Sequence, residues 1–226
     1  MQSIPPVFRS FTLAVVAFVT VGLFASSVSA MTILKAPLRD LVNTSELVIH
    51  AKVKRTQVLD KRAKGLAVFT KITLDVIELY KGDRNKVGAT FSWEMVGGTA
   101  ADGMTWSVPG MPSFTKGEEV VVLLEKHARG YTLTGAPQGK YVVFRDAKNI
   151  ARVHRSLGDV HMFARDSRGR LTEVKHTKAL PLLPPRLDPT LNALRAEIRT
   201  YVRMASKTPA LRGRVAPRKA LGRAKR

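Results

Sequence analysis

The 226 residues contain no cysteine. That absence excludes disulfide staples, thiolate metal sites, thiol catalysis and a lipidated-cysteine anchor, so the fold must rest on its apolar core alone. Acidic residues are scarce, 17 against 38 lysines and arginines, which leaves a formal net charge of +21 and points toward anionic partners. Long apolar runs are missing with one exception, Phe11 to Ala25, and that run falls short of the about 20 residues a membrane helix needs.

The exception has a specific context. A leader from Met1 to Arg9 carries one positive charge, and the apolar run ends in Ser26-Ser27-Val28-Ser29-Ala30. Val28-Ser29-Ala30 fits the small-x-small pattern read by signal peptidase, which predicts a cleaved export signal over residues 1–30 and a cut before Met31. Export without cysteine or lipid predicts the periplasm or the surrounding medium of a bacterium, with no integral span after cleavage. The remaining 196 residues hold 37 basic and 17 acidic side chains, enough chain for one core plus an extension.

The charge is uneven. Residues 31–150 carry 18 basic and 12 acidic residues, whereas residues 151–226 carry 19 and 5. From Arg203 onward nine basic residues occur with no acidic one. Such asymmetry marks an interaction tail.

Hydrophobic periodicity outlines the body. Lys35 to Ser45, with Pro37 and the spacing of Leu38, Leu41 and Val42, predicts a short amphipathic helix. The period then changes to two: Leu47, Ile49, Ala51 and Val53 share one face of a strand, opposite Val48, His50, Lys52 and Lys54, which predicts one wet side. Further strands are predicted over 66–80, 90–96, 119–125, 131–134 and 140–144, with a hairpin over 160–174. Thr99 to Thr115 reads as a Gly/Pro-rich loop, with 104–108 as a candidate edge strand. Asp188-Pro189 predicts a helix start, and Leu191, Leu194, Ile198, Tyr201 and Val202 give that helix an apolar stripe. The expected fold is mainly β: a small antiparallel OB-like β-barrel over 31–178 with a short N-terminal helix, a C-terminal helix over 187–205, and a disordered basic tail over 206–226. An antiparallel sandwich is the second choice.

Four short segments carry a resemblance. Ser45-Glu46-Leu47-Val48-Ile49-His50-Ala51-Lys52-Val53, Leu79-Tyr80-Lys81-Gly82-Asp83, Phe114-Thr115-Lys116-Gly117-Glu118 and Gln138-Gly139-Lys140-Tyr141 resemble the corresponding steps of a group of uncharacterised exported bacterial β-barrel proteins. Their order is similar to the OB-type barrel of tissue inhibitors of metalloproteinases and netrin-like modules. The resemblance covers Leu41 to Phe144 and implies the barrel. It does not extend to the inhibitory Cys-x-Cys, since this chain has no cysteine.

The histidines, His50, His127, His154, His161 and His176, make no ligand-spaced set, and no metal or cofactor is expected. No Gly-x-Ser-x-Gly occurs, and Asp75, Glu78, Glu94 and Glu125 read as strand-surface charges. Phe91, Trp93, Trp106 and Tyr131 are either a stacking platform or core filling, with Trp93 assigned to the core and Trp106 to a contact loop. Arg203, Lys207, Arg212, Arg214, Arg218, Lys219, Arg223, Lys225 and Arg226 are the candidate polyanion-binding residues. The expected function is a non-enzymatic exported binding protein whose basic tail tethers it to an anionic polymer or a membrane-surface component. The alternatives are a protease-inhibitor-like module acting through the barrel rim, with the loop Gly97 to Pro112, and a hydrolase of envelope polymer built on converging carboxylates.

Overall fold

A computed structural model describes residues 31–155, 157, 160–165, 168–174 and 188–207. The expected export signal, His176 and the stretch from 208 to 226 lie outside the described residues. The architecture is mainly β. Two strands of 14 residues, β2 (Leu47–Asp60) and β3 (Val68–Lys81), form a long antiparallel hairpin, and β4 (Thr90–Val96) pairs on β3. On the other side of β2 lies β7 (Glu119–His127), whose far edge is shared by β8 (Gly130–Leu133) and β9 (Lys140–Arg145). β10 (Ala151–His154) closes that side, so the sheet order is β10-β9-β7-β2-β3-β4, with β8 pairing β7. Two-residue strands β5 (Gly98–Thr99) and β6 (Thr105–Trp106) form a ribbon beyond β4.

The expected closed barrel is not found. No ladder joins β4 to β8 or to β10 among the described residues; the sheet is open. What replaces closure is side-chain packing across the gap, with the Phe91 ring edge-on to Tyr131 at 5.5 Å. The physical reason lies in β7: Val120, Val121, Val122, Leu123 and Leu124 are all buried, so this strand needs apolar cover on both faces. A small barrel standing alone covers only its inside. Here register slips between Val48/Ile49, His50/Ala51 and Val53/Arg55 curl β2 and β3 around one core, because a bulge bends and twists its strand. That inner core holds Leu47, Ile49, Ala51, Val53, Ile72, Leu74, Phe91, Trp93, Val120, Val122 and Leu124. The other face carries a second core of Val48, Tyr80, Val121, Leu123, Tyr141 and Val143 under two helices.

Those helices are α1 (Leu38–Thr44) and α2 (Leu191–Lys207). The helix expected at Lys35–Ser45 does not open the fold: β1 (Met31–Leu34) precedes it, and the helical residues are confined to seven. β1 runs parallel to β11 (Val160–Arg165), which pairs antiparallel with β12 (Leu171–Val174). Buried Leu41 and Val42 of α1 meet Leu194 and Ile198 of α2, so the outer face of β2 is covered where Val48 and His50 stand and wet only from Lys52 onward. α2 starts later than the Asp188-Pro189 signal implies: the Thr190 hydroxyl accepts from Ala193 N at 3.1 Å, the N-cap contact. Asp188 instead offers its carbonyl to Arg152 at 2.7 Å.

Candidate functional site

The gap that keeps the sheet open is the candidate site. Between β4 and the β7–β8 hairpin lies a cleft of about 630 Å³. One wall is Glu94, Met95 and Val96 of β4; the opposite wall is His127, Ala128, Arg129, Tyr131 and Thr132. Leu66 and Phe69 come from the β2–β3 hairpin, and Val108 and Met111 from the loop after β6. The lining is apolar with charges at its lips, the profile of a binding cleft. Lys61 bonds Glu94 at 2.5 Å and lies 5.2 Å over the Phe69 ring, so the cleft's carboxylate is already neutralised.

The loop beside the cleft is clamped at both ends. At its start the Arg62 guanidinium bonds Asp60 at 2.6 Å and Asp102 at 2.7 Å, and donates to Met104 Sδ at 3.1 Å. Arg62 hydrogen bonds hold the Asp60 carboxyl down at about 2 and also lower Asp102. At its end Phe114 is buried, edge-on to Trp93 at 5.4 Å, and Ser113 offers its carbonyl to Lys140 Nζ at 2.6 Å. Between these anchors Met104, Trp106 and Val108 project into solvent, Trp106 with 43% of its surface exposed. The sequence assigned Trp106 to a contact loop and Trp93 to the core; Trp93 is buried, and Trp106 is an exposed residue of β6. The four aromatics do not form one platform: Phe91, Trp93 and Tyr131 join Phe114 around the inner core, apart from Trp106.

Of the candidate polyanion-binding residues, Arg203 lies exposed on the last turns of α2 and Lys207 is that helix's final residue. Arg212, Arg214, Arg218, Lys219, Arg223, Lys225 and Arg226 lie outside the described residues. Within the body, several cations are drawn into pairs: Lys54 with Asp75, Arg152 with Asp146, Lys140 with Glu118, and both Arg195 and Arg199 with Glu78. Glu78, read from the sequence as a surface charge, fastens α2 to β3.

Three histidine–carboxylate contacts were not legible in the sequence: His50 with Glu119 at 2.8 Å, His161 with Glu173 at 2.7 Å and His154 with Asp188 at 3.7 Å. The partners are 69, 12 and 34 residues apart in sequence, so no local spacing announces them. His50 is buried against the Tyr80 ring, centroids 6.1 Å apart, on the helix-covered face and outside the cleft lining. Burial raises the Tyr80 phenol to about 12, and its hydroxyl has no hydrogen-bond partner among the described residues. No three histidine or carboxylate side chains gather as a metal site among the described residues, and none of the described helices is long and apolar enough to cross a membrane. Neither a known protein family nor a curated protein matches the chain.

Proposed function

We propose that this is an exported, non-enzymatic binding protein whose basic C-terminal segment tethers it to an anionic polymer or surface component of the envelope. One observation carries the reading. In the folded body Asp75, Glu78, Glu118 and Asp146 pair with cations of the body itself, whereas the stretch from Arg203 onward holds nine basic residues and no acidic one. Cations at this density along a chain attract polyanions with strong salt dependence. Because Arg203 and Lys207 belong to α2, the informative truncation ends after Lys207 and spares the buried stripe of Leu194 and Ile198. It removes seven of the nine cations. The truncated protein is expected to leave a heparin or polyphosphate column at much lower salt than the full chain, with an unchanged thermal midpoint. Equal elution of the two proteins defeats the tether.

A second reading, a protease-inhibitor-like module acting through the rim, is favoured by the clamped loop that displays Met104, Trp106 and Val108 beside an apolar cleft. Its expected result is inhibition of a metalloprotease by the full chain that persists after truncation and weakens in Arg62→Ala, which unclamps the loop. Inhibition indifferent to Arg62 and Trp106 rejects it.

A further inference from the structure

The uncovered face of the β2–β3 hairpin holds a second concavity that shares no lining residue with the cleft. At the slip between Val53 and Arg55, Lys54 drops out of register with β3. Such a bulge re-aims the side chains around it. The turn ahead of β7 is stitched to the same point: Val53 N donates to Glu118 O and Gly117 N to Val53 O, both at 2.8 Å. Gly117 has φ +87°, a left-handed turn that a side chain would strain. The consequence is that Lys116 arrives beside Lys54 and Arg55. The three cations, with Thr73 of β3 and Thr90 of β4, line a depression of about 370 Å³.

Two of these cations have no neutralising carboxylate among the described residues. Lys54 is held by Asp75 at 2.9 Å, but Arg55 and Lys116 have no ion-pair partner among the described residues. Gathering like charges costs stability unless a counter-ion is supplied. The donors come from four separate elements, which suits an acceptor with oxygens pointing in several directions. A guanidinium fork flanked by two ammonium groups is a common setting for phosphate.

We infer that Lys54, Arg55, Lys116, Thr73 and Thr90 form an oxyanion site that seats a phosphoryl group carried on a soluble polymer. The inference rests on the polyanion reading above and deepens it: the C-terminal segment supplies diffuse attraction, and this depression supplies a fixed seat. Asp75 is its built-in competitor, since it occupies Lys54 when the seat is empty.

The test uses the full chain, with inorganic tripolyphosphate titrated calorimetrically at low salt. The unsubstituted protein binds it with a saturable component that weakens about tenfold in Arg55→Ala/Lys116→Ala, each exposed charge contributing up to about 1 kcal/mol. Lys126→Ala/Lys148→Ala removes the same charge elsewhere on the exposed surface and stays within about twofold. Asp75→Asn frees Lys54 and tightens binding about threefold, the range of one exposed pair. Equal weakening in the two double variants, or no response to Asp75→Asn, overturns the site. So does a protein that ignores tripolyphosphate and binds only phosphatidylglycerol vesicles, which would place the anion in a headgroup. Loss of column retention on truncation after Lys207, with no site-dependent tripolyphosphate binding, removes this seat and leaves the tether standing; the converse pattern removes the tether and leaves the seat.

Discussion

Replacing Glu118 by alanine lowers the unfolding free energy by roughly 3–5 kcal/mol, the range seen when one partner of a buried pair is removed. Lys140 is 4% exposed, and its ammonium bonds both Glu118 carboxylate oxygens at 2.8 and 2.9 Å. Without Glu118 the charge keeps only the Ser113 carbonyl and the Phe114 ring, whose centroid lies 4.4 Å away. Neither carries a formal negative charge. The loss is measured by urea unfolding followed through tryptophan fluorescence, and Trp93 reports on this end of the core directly. A double variant, Glu118→Leu/Lys140→Met, recovers most of the loss because an apolar pair removes the orphaned charge. A Glu118→Ala protein as stable as the parent means that Lys140 escapes to water and the pair is not structural.

Gly139→Ala is the second large effect, about 3 kcal/mol or more of destabilisation, at the upper end of what overpacking costs. A Cβ at position 139 meets Thr134 O at 2.6 Å and Leu123 O at 2.9 Å. Both are backbone atoms, one on β7 and one beyond β8, so neither yields without disturbing the sheet. By contrast, no atom of the described residues stands within 4 Å of a Cβ built at Gly130. Gly130 lies in the left-handed region, at φ +125°, so alanine there carries conformational strain but no clash. Thermal unfolding of the two variants separates these causes: Gly139→Ala loses more than Gly130→Ala. Equal midpoints overturn the close-approach account of Gly139.

These two positions show what the four sequence segments are for. Phe114-x-x-Gly117-Glu118 and Gln138-Gly139-Lys140 meet in one pair across 22 residues of sequence: Glu118 and Lys140 bond, Phe114 stacks under the ammonium, and Gly139 lets the backbone through. Gln138, also buried, accepts from Ala36 N at 2.9 Å and donates to Leu34 O at 2.9 Å, which ties β1 to the main sheet. The other two segments meet likewise. Lys81 Nζ donates to the carbonyls of Val42 at 2.6 Å and Asn43 at 3.1 Å, capping the negative end of α1, and burial lowers its pKa. A Cβ at Gly82 would strike Leu47 Cδ2 at 2.5 Å, and Ser45 Oγ shares a hydrogen bond of 2.8 Å with Thr134. The segments are staples of the architecture, and of the residues lining the proposed seat only Lys116 falls inside one of them.

The periodicity of this chain was enough to establish a mainly β body, the inward face of β2, strands where β3, β4 and β7 run, and a helix bearing an apolar stripe, because a period of two or 3.6 is written in adjacent residues. The sequence by itself also separated Trp93 from Trp106 and located the surplus of positive charge. Only the tertiary structure decided that the sheet stays open, that α1 and α2 cover the outer half of β2, and that Lys116 joins Lys54 and Arg55. Each of those depends on where bulges and turns bring residues many positions apart, and bulge placement follows from packing on both faces of the sheet at once. Alternation tells which side of a strand is apolar; it carries no term for what comes to rest against that side.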